Sequence, residues 1–238
     1  MDLIQNNAPI FINGLLETFQ LSAVTLFFAI VLSLFFGVLS VTRYRIFKII
    51  SICYVELFRD IPLLVNVFFV YFGAPLIGIP LEPFAAATIS LSLWGGANGA
   101  EIVRSGFNSV SNHQKASAKA LGLKPWEIFW YVIGPQALLP MIPPFTGLFS
   151  LLIQATALCS MVGEMEFFRM AQIVVERTTI NTGYSPAFLV YGFVLIVYFV
   201  ICASLAALTK RLERWLSERQ DRRGAGLPAV ERLAQESV

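Results

Sequence analysis

The chain has 238 residues, is 57% hydrophobic and only 13% charged, and carries a formal net charge of +2. A soluble domain has about 25% charged residues, so this composition belongs in a bilayer, and so small and scattered a charge excludes nucleic-acid binding through a basic face. Cys53, Cys159 and Cys202 lie in apolar stretches and the one histidine is His113, which excludes a disulfide framework, a Cys/His metal site and hydrolysis by a partnered His base.

A helix crossing hydrocarbon needs about 20 mostly apolar residues, so charge-free intervals locate the spans. No charge falls between Glu17 and Arg43, which sets the first span at residues 21–41. It is too long, and lacks the basic lead, for a cleaved signal peptide. Asp60 and Glu82 bracket the second, residues 61–81, whose end is broken by Gly73, Pro75, Gly78 and Pro80. Pro83 opens the third, residues 84–103, where Gly95, Gly96 and Gly99 suit close helix packing. From Ile128 to Gly163 charge is absent again, but Gly134, Pro135, Pro140, Pro143 and Pro144 interrupt the first half. The fourth span is therefore predicted over 145–162, with a separate short helix before it. The fifth covers 186–208, and a polar tail follows.

These elements predict an all-α polytopic membrane protein with five transmembrane helices. A single transmembrane domain covers 1–209 and a cytoplasmic tail covers 210–238. With the amino terminus outside and the carboxyl terminus inside, only Arg169 and Arg177 of the 17 basic residues lie outside, as the positive-inside rule requires. The segment 164–185 is too polar to span. Two readings stand for it: an external helix presenting Glu164, Glu166, Arg169, Glu176 and Arg177 to a binding protein, or a solvated connector.

The longest inner connection, 105–143, carries the most pattern. Ser111 and Asn112 are N-caps, residues 114–121 are strong helix formers, and Gly122 follows as a C-terminal stop. Pro125 starts a second helix, 126–133, that Gly134-Pro135 closes. On composition alone this hairpin serves equally as a grip for another protein or as an amphipathic connector on lipid headgroups.

The order of residues in it resembles the membrane subunits of ATP-binding-cassette importers, whose cytoplasmic loop carries a Glu-Ala-Ala, three residues, Gly signature. The matching positions are Ala116, Ser117, Ala118 and Gly122, then Ile133-Gly134-Pro135-Gln136-Ala137-Leu138. YVELFRDIPLLVNVFFVYFGAP (54–75), GAEIVRSGFNSV (99–110) and TALCSMVGEMEF (156–167) are similar to segments of the polar amino-acid importer permeases, the His/Glu/Gln/Arg/opine type. Together the matches cover about 15–215. Ala116 departs from the signature glutamate, Asp60 replaces a usual glycine, and Gln154 and Ala155 stand where relatives often have Lys and an acidic or amide residue.

The resemblance implies a multi-pass permease in the bacterial cytoplasmic (inner) membrane. Its implied partners are membrane lipid, a second permease subunit, identical or related, two cytoplasmic ATPases, and an extracytoplasmic substrate-binding protein. ATP and Mg would be bound by the ATPase partner, and no cofactor is expected in this chain, which has no GxxxxGK[ST] loop. Ala116, Ala118, Leu121, Gly122, Leu123 and Trp126 are the implied ATPase-coupling residues. Buried polar groups are the candidate substrate path: Asn66, Trp94, Asn98, Gln154 and Thr156, with amides and hydroxyls suited to an amino acid's ammonium and carboxylate. Interhelical hydrogen bonding is the alternative role. Glu101 and Arg104, three apart, are expected to pair. Ala155 points away from a cationic substrate and toward a neutral polar or acidic amino acid. The rival reading is an ion-gradient-driven secondary transporter. It expects internal repeats and deep carboxylates, whereas no repeat is visible and only Glu101 approaches membrane depth.

Overall fold

In hydrocarbon an apolar segment satisfies its backbone groups only through its own hydrogen bonds, so the charge-free runs fold as helices. The computed structural model describes residues 2–225, and every regular element among them is helical. In chain order these are α1 (Asp2–Asn6), α2 (Ala8–Ser40), α3 (Arg45–Asp60), α4 (Leu63–Gly73), α5 (Pro83–Ser109), α6 (Asn112–Ala120), α7 (Pro125–Glu127), α8 (Gly134–Ala155), α9 (Phe167–Thr182) and α10 (Ala187–Ala225). Three stretches are long and apolar enough to cross a membrane: Ala8–Ser40, Pro125–Val162 and Ala187–Glu218. The bent pair α3–α4 makes a fourth if taken as one span.

The centre of the bundle is α5, packed on α2, α8, α4 and α3. The inward face of α2 is a stripe of small residues at helical spacing, with Ser22, Thr25, Ala29, Ser33, Gly37 and Ser40 all buried. Opposite it, a Cβ on Gly99 would collide with the Ser33 side chain, and one on Gly37 with Val103. These glycines therefore let two backbones approach more closely than larger side chains allow. Ser33 Oγ donates to the Ala29 carbonyl at 2.6 Å and faces the Gly96 carbonyl at 3.4 Å. Leu21, Val67, Leu91 and Leu152 fill the core around this seam. A second apolar cluster, with Phe11, Phe167, Val174, Val190 and Val194, seats α9 between α2 and α10.

Several predicted boundaries move. The helix of the first span, α2, begins at Ala8 rather than at 21, and carries Glu17 within it. The predicted second span, 61–81, is helical only from Leu63, and a 3-10 turn over Ala74–Ile77 ends it. Before it, α3 meets α4 at 100° because Pro62 holds Ile61 extended (φ −82°, ψ 131°). Pro83 does open α5, which runs on to Ser109, beyond the expected 103.

The fourth span is the largest correction. Gly134-Pro135 does not close the second hairpin helix. Residues Ile128–Ile133 form a π turn in which Gly134 N–H reaches back to the Phe129 carbonyl, and the chain passes directly into α8. The wider turn absorbs the residue that cannot continue a regular ladder, since Pro135 has no N–H to offer. Pro140, Pro143 and Pro144 then lie inside an unbroken α8, held by packing on α5 and α10. At the other end, α10 shows no break at 209–210 and stays helical to Ala225, so the tail opens as a continuation of the fifth span's helix. The remainder of that tail, 226–238, lies outside the described residues. Most of segment 164–185 is the helix α9.

Candidate functional site

The hairpin is built from local rules. Ser111 Oγ accepts Gln114 N–H at 3.3 Å and so starts α6. At its end Gly122 N–H donates to the Lys119 carbonyl at 3.0 Å and Leu123 N–H to the Ala118 carbonyl at 3.2 Å, the paired bonds of a Schellman stop. That stop needs a left-handed residue, and Gly122 supplies it with φ of +82°. Lys124 N–H then donates to Glu127 at 2.6 Å at the start of α7.

The two helices divide the implied coupling residues. Ala118 is buried and Leu123 half-buried, both holding the hairpin together. Ala116, Leu121, Gly122 and Trp126 face outward, with Leu121 82% exposed and Trp126 55%. Trp130 and Tyr131 extend this apolar surface, and Lys115, Lys119 and Lys124 stand around it in sequence.

The five candidate substrate residues come from α4 (Asn66), α5 (Trp94 and Asn98), the end of α8 (Gln154) and the 3-10 turn that follows it (Thr156). Asn66, buried on α4, donates to the Ser90 carbonyl at 3.1 Å and ties α4 to α5. Asn98 donates to the Trp94 carbonyl at 2.9 Å within α5, while the half-buried Trp94 ring packs on the central core. Thr156, fully buried, donates to the Ile153 carbonyl at 2.8 Å. Gln154 is exposed and reaches Cys202 Sγ on α10 at 3.3 Å. Glu101 and Arg104 pair through two bonds, Nε to Oε2 at 2.9 Å and Nη2 to Oε1. They line a cavity of about 270 Å³ between α3 and α5, shared with Lys48, Glu56 and Arg59.

A polar node that sequence reasoning missed joins α2, α9 and α10. Glu166 is 0% exposed, and its carboxylate accepts Phe168 N–H at 2.8 Å, Arg169 N–H at 2.7 Å and the Tyr198 hydroxyl at 3.1 Å. Thr18 Oγ1 accepts Phe167 N–H at 3.0 Å, and the Tyr198 hydroxyl also lies within reach of Thr156 and Thr18. Burial raises the Glu166 pKa, opposed by the hydrogen bonds it accepts. Nearby Glu164 is 6% exposed. Burial first, then the charges of Glu17 and Glu166, push its carboxyl up to about 7. The sequence signal was slight: Glu is not a preferred N-cap, and 164–185 reads as a solvated charged segment.

The chain is 33% identical over 217 residues to the probable glutamine ABC transporter permease protein GlnP of Bacillus subtilis (strain 168), covering 90% of this chain and 98% of that one. It is 30% identical to the probable glutamine ABC transporter permease protein GlnM of the same organism, with the same coverage of each. Its fold matches a chain of a crystal structure of an amino acid ABC transporter with histidines, with a TM-score of 0.80 and 26% identity over 89% of this chain and 96% of that one. Residues 29–218 match the family model for the binding-protein-dependent transport system inner membrane component, and the chain belongs to that family.

Proposed function

We propose that this chain is the permease subunit of an ATP-binding-cassette importer that carries a polar amino acid inward by alternating access. The observation that carries this reading is the hairpin. A glycine-terminated α6 offers Leu121 and Trp126 to solvent at the register of the family's coupling signature, where an ATPase would hold it. Ala116, Ala118, Leu121, Gly122, Leu123 and Trp126 form the lever, and two cytoplasmic ATPases bind and hydrolyse ATP with Mg. A second permease subunit completes the path, and an extracytoplasmic binding protein delivers substrate. The α9 side, opposite the hairpin, is the face assigned to that delivery.

In this reading the protein crosses the bacterial inner membrane five times. Its amino terminus is outside and its carboxyl terminus inside, in keeping with the Lys/Arg distribution. The third crossing is α5, whose glycines, serines and asparagine make it less apolar than the others; burial by its neighbours supports its placement. The two relatives named for glutamine, together with Ala155, favour a substrate with a neutral polar side chain. Asn66, Trp94, Asn98, Gln154 and Thr156 stay assigned to the path, with Asn66 and Thr156 also bonding helix to backbone.

Reconstitution of the chain with its co-purifying ATPase tests this. Glutamine uptake should require ATP inside the vesicle and binding protein outside. Uptake driven by a proton or sodium gradient without an ATPase would instead assign the chain to the secondary transporters.

A further inference from the structure

Two cavities adjoin where the end of α2 meets α3, α5 and α6. The first, about 360 Å³, is lined by Lys48, Arg104, Lys115 and Asn108, and no carboxylate lines it. The second, about 470 Å³, is lined by Leu34, Val38, Leu138 and Met141, and shares Phe107 and Phe129 with the first. A polar, cationic chamber thus abuts an apolar groove across two aromatic rings, themselves 5.2 Å apart.

The charges in the chamber are unevenly matched. Arg104 is paired with Glu101, but among the described residues Lys48 and Lys115 make no ion pair or side-chain hydrogen bond. Lys115 is nevertheless half-buried. Lys48 is exposed, but the two ammonium groups share one chamber whose lining holds no carboxylate, so an anion between them is favourable. Leu34 and Leu138 are each about half exposed on stretches apolar enough to cross a membrane, so the groove faces hydrocarbon. Ser40, the last residue of α2, lines the chamber, which places it where that helix leaves the apolar layer.

We propose that this pair of cavities binds one anionic phospholipid from the leaflet on the α6 side. The phosphate lies on Lys48 and Lys115 with the Asn108 amide as a further donor, and an acyl chain lies in the groove past Phe107 and Phe129. A free phosphate satisfies the chamber but leaves the groove empty. A zwitterionic lipid fills the groove but brings a cation into a chamber that has no carboxylate. Because Lys115 belongs to α6 while Lys48 belongs to α3, the lipid is a clasp between the hairpin and the membrane helices, and hairpin movement depends on it.

The test is native mass spectrometry of the full-length protein in detergent, alone and with its co-purifying partners. It is titrated with dioleoylphosphatidylglycerol, dioleoylphosphatidylcholine or glycerol 3-phosphate. We expect phosphatidylglycerol to bind at least about tenfold more tightly than phosphatidylcholine, and the double variant Lys48→Ala/Lys115→Ala to lose that preference. Lys119→Ala, on the same helix but outside the chamber, should retain it. Leu138→Trp, which fills the groove, should weaken both lipids severalfold with helicity by circular dichroism unchanged. Equal binding of the two lipids, or an unaltered double variant, overturns the proposal. So does an equal loss in Lys119→Ala. Displacement by glycerol 3-phosphate assigns the chamber to soluble phosphate, and loss of lipid only when the partners are bound assigns it to a protein; either result also overturns it.

Discussion

Phe167 donates its backbone N–H to the Thr18 hydroxyl at 3.0 Å across 149 positions of sequence. The bond fixes the first turn of α9 to the amino-terminal third of α2, beside the Phe11–Phe167 edge contact. Both groups are fully or almost fully buried, so water cannot replace either one. Thr18→Val keeps the shape and removes the acceptor, which strands a buried N–H at a cost of about 1–3 kcal/mol. The melting temperature in detergent should fall by several degrees, roughly 2–4 °C per kcal/mol for a chain of this size, while Thr18→Ser should stay near wild type. An unchanged Thr18→Val would mean that α9 is held by apolar packing alone.

The same corner titrates. Glu164 has its pKa raised from 4.5 to about 7 by burial and by the charges of Glu17 on α2 and Glu166 at the start of α9. Between those two pH values the folded protein holds a proton that the unfolded chain has released. Stability contributed by this group therefore falls as pH rises from about 4.5 to 7, and levels off above 7. Glu164→Gln removes the proton from the balance. Its melting temperature should exceed wild type at pH 8 and lose the downward slope between pH 5 and 7. A variant that keeps the full slope would place the titration on Glu166 or another group.

At the hairpin, no atom lies within 4 Å of where a Cβ on Gly122 would stand, so a side chain there is excluded by conformation and not by collision. A φ of +82° disfavours an ordinary residue, by roughly 1–2 kcal/mol, and a β-branched one most of all. Gly122→Val should abolish transport and binding-protein-stimulated ATP hydrolysis while the protein remains in the membrane. Gly122→Asn, which tolerates the left-handed region, should retain a substantial part. If coupled ATP hydrolysis survives in Gly122→Val, the hairpin is not the lever.

These residues also show where sequence is legible. The stop at Gly122 depends only on neighbours four residues away, so helix formers followed by glycine announce it. Pro135 misleads by the same local logic, because the π turn at Ile128–Ile133 accommodates it and depends on packing that periodicity does not record. The node at Glu166 is invisible for a different reason: its partners Tyr198 and, through the Phe167 N–H, Thr18 come from distant helices, and a charged residue in a polar connector reads as solvated. The candidate path residues stood out as polar groups in apolar spans, but polarity alone does not distinguish lining a path from bonding a neighbouring helix, as Asn66 on Ser90 illustrates.

The seam between α2 and α5 gives the sharpest structural test. A Cβ on Gly99 would strike Ser33 Oγ, with Ser33 Cβ at 2.7 Å and Phe145 Cε1 at 3.1 Å as its next neighbours. Gly99→Ala must therefore separate two helices or displace Ser33 from its bonds to the Ala29 and Gly96 carbonyls. Overpacking of this kind costs about 1–3 kcal/mol, which should appear as a lower melting temperature in detergent. Ser33→Gly removes the two closest obstacles and leaves the Phe145 ring edge, at 3.1 Å, as the nearest of the three neighbours. The double variant Gly99→Ala/Ser33→Gly should then melt above Gly99→Ala, with a coupling energy of about 0.5–3 kcal/mol in the double-mutant cycle. Additive losses would show that the small residues on the two helices do not meet, and that close approach at this seam is not what the glycines provide.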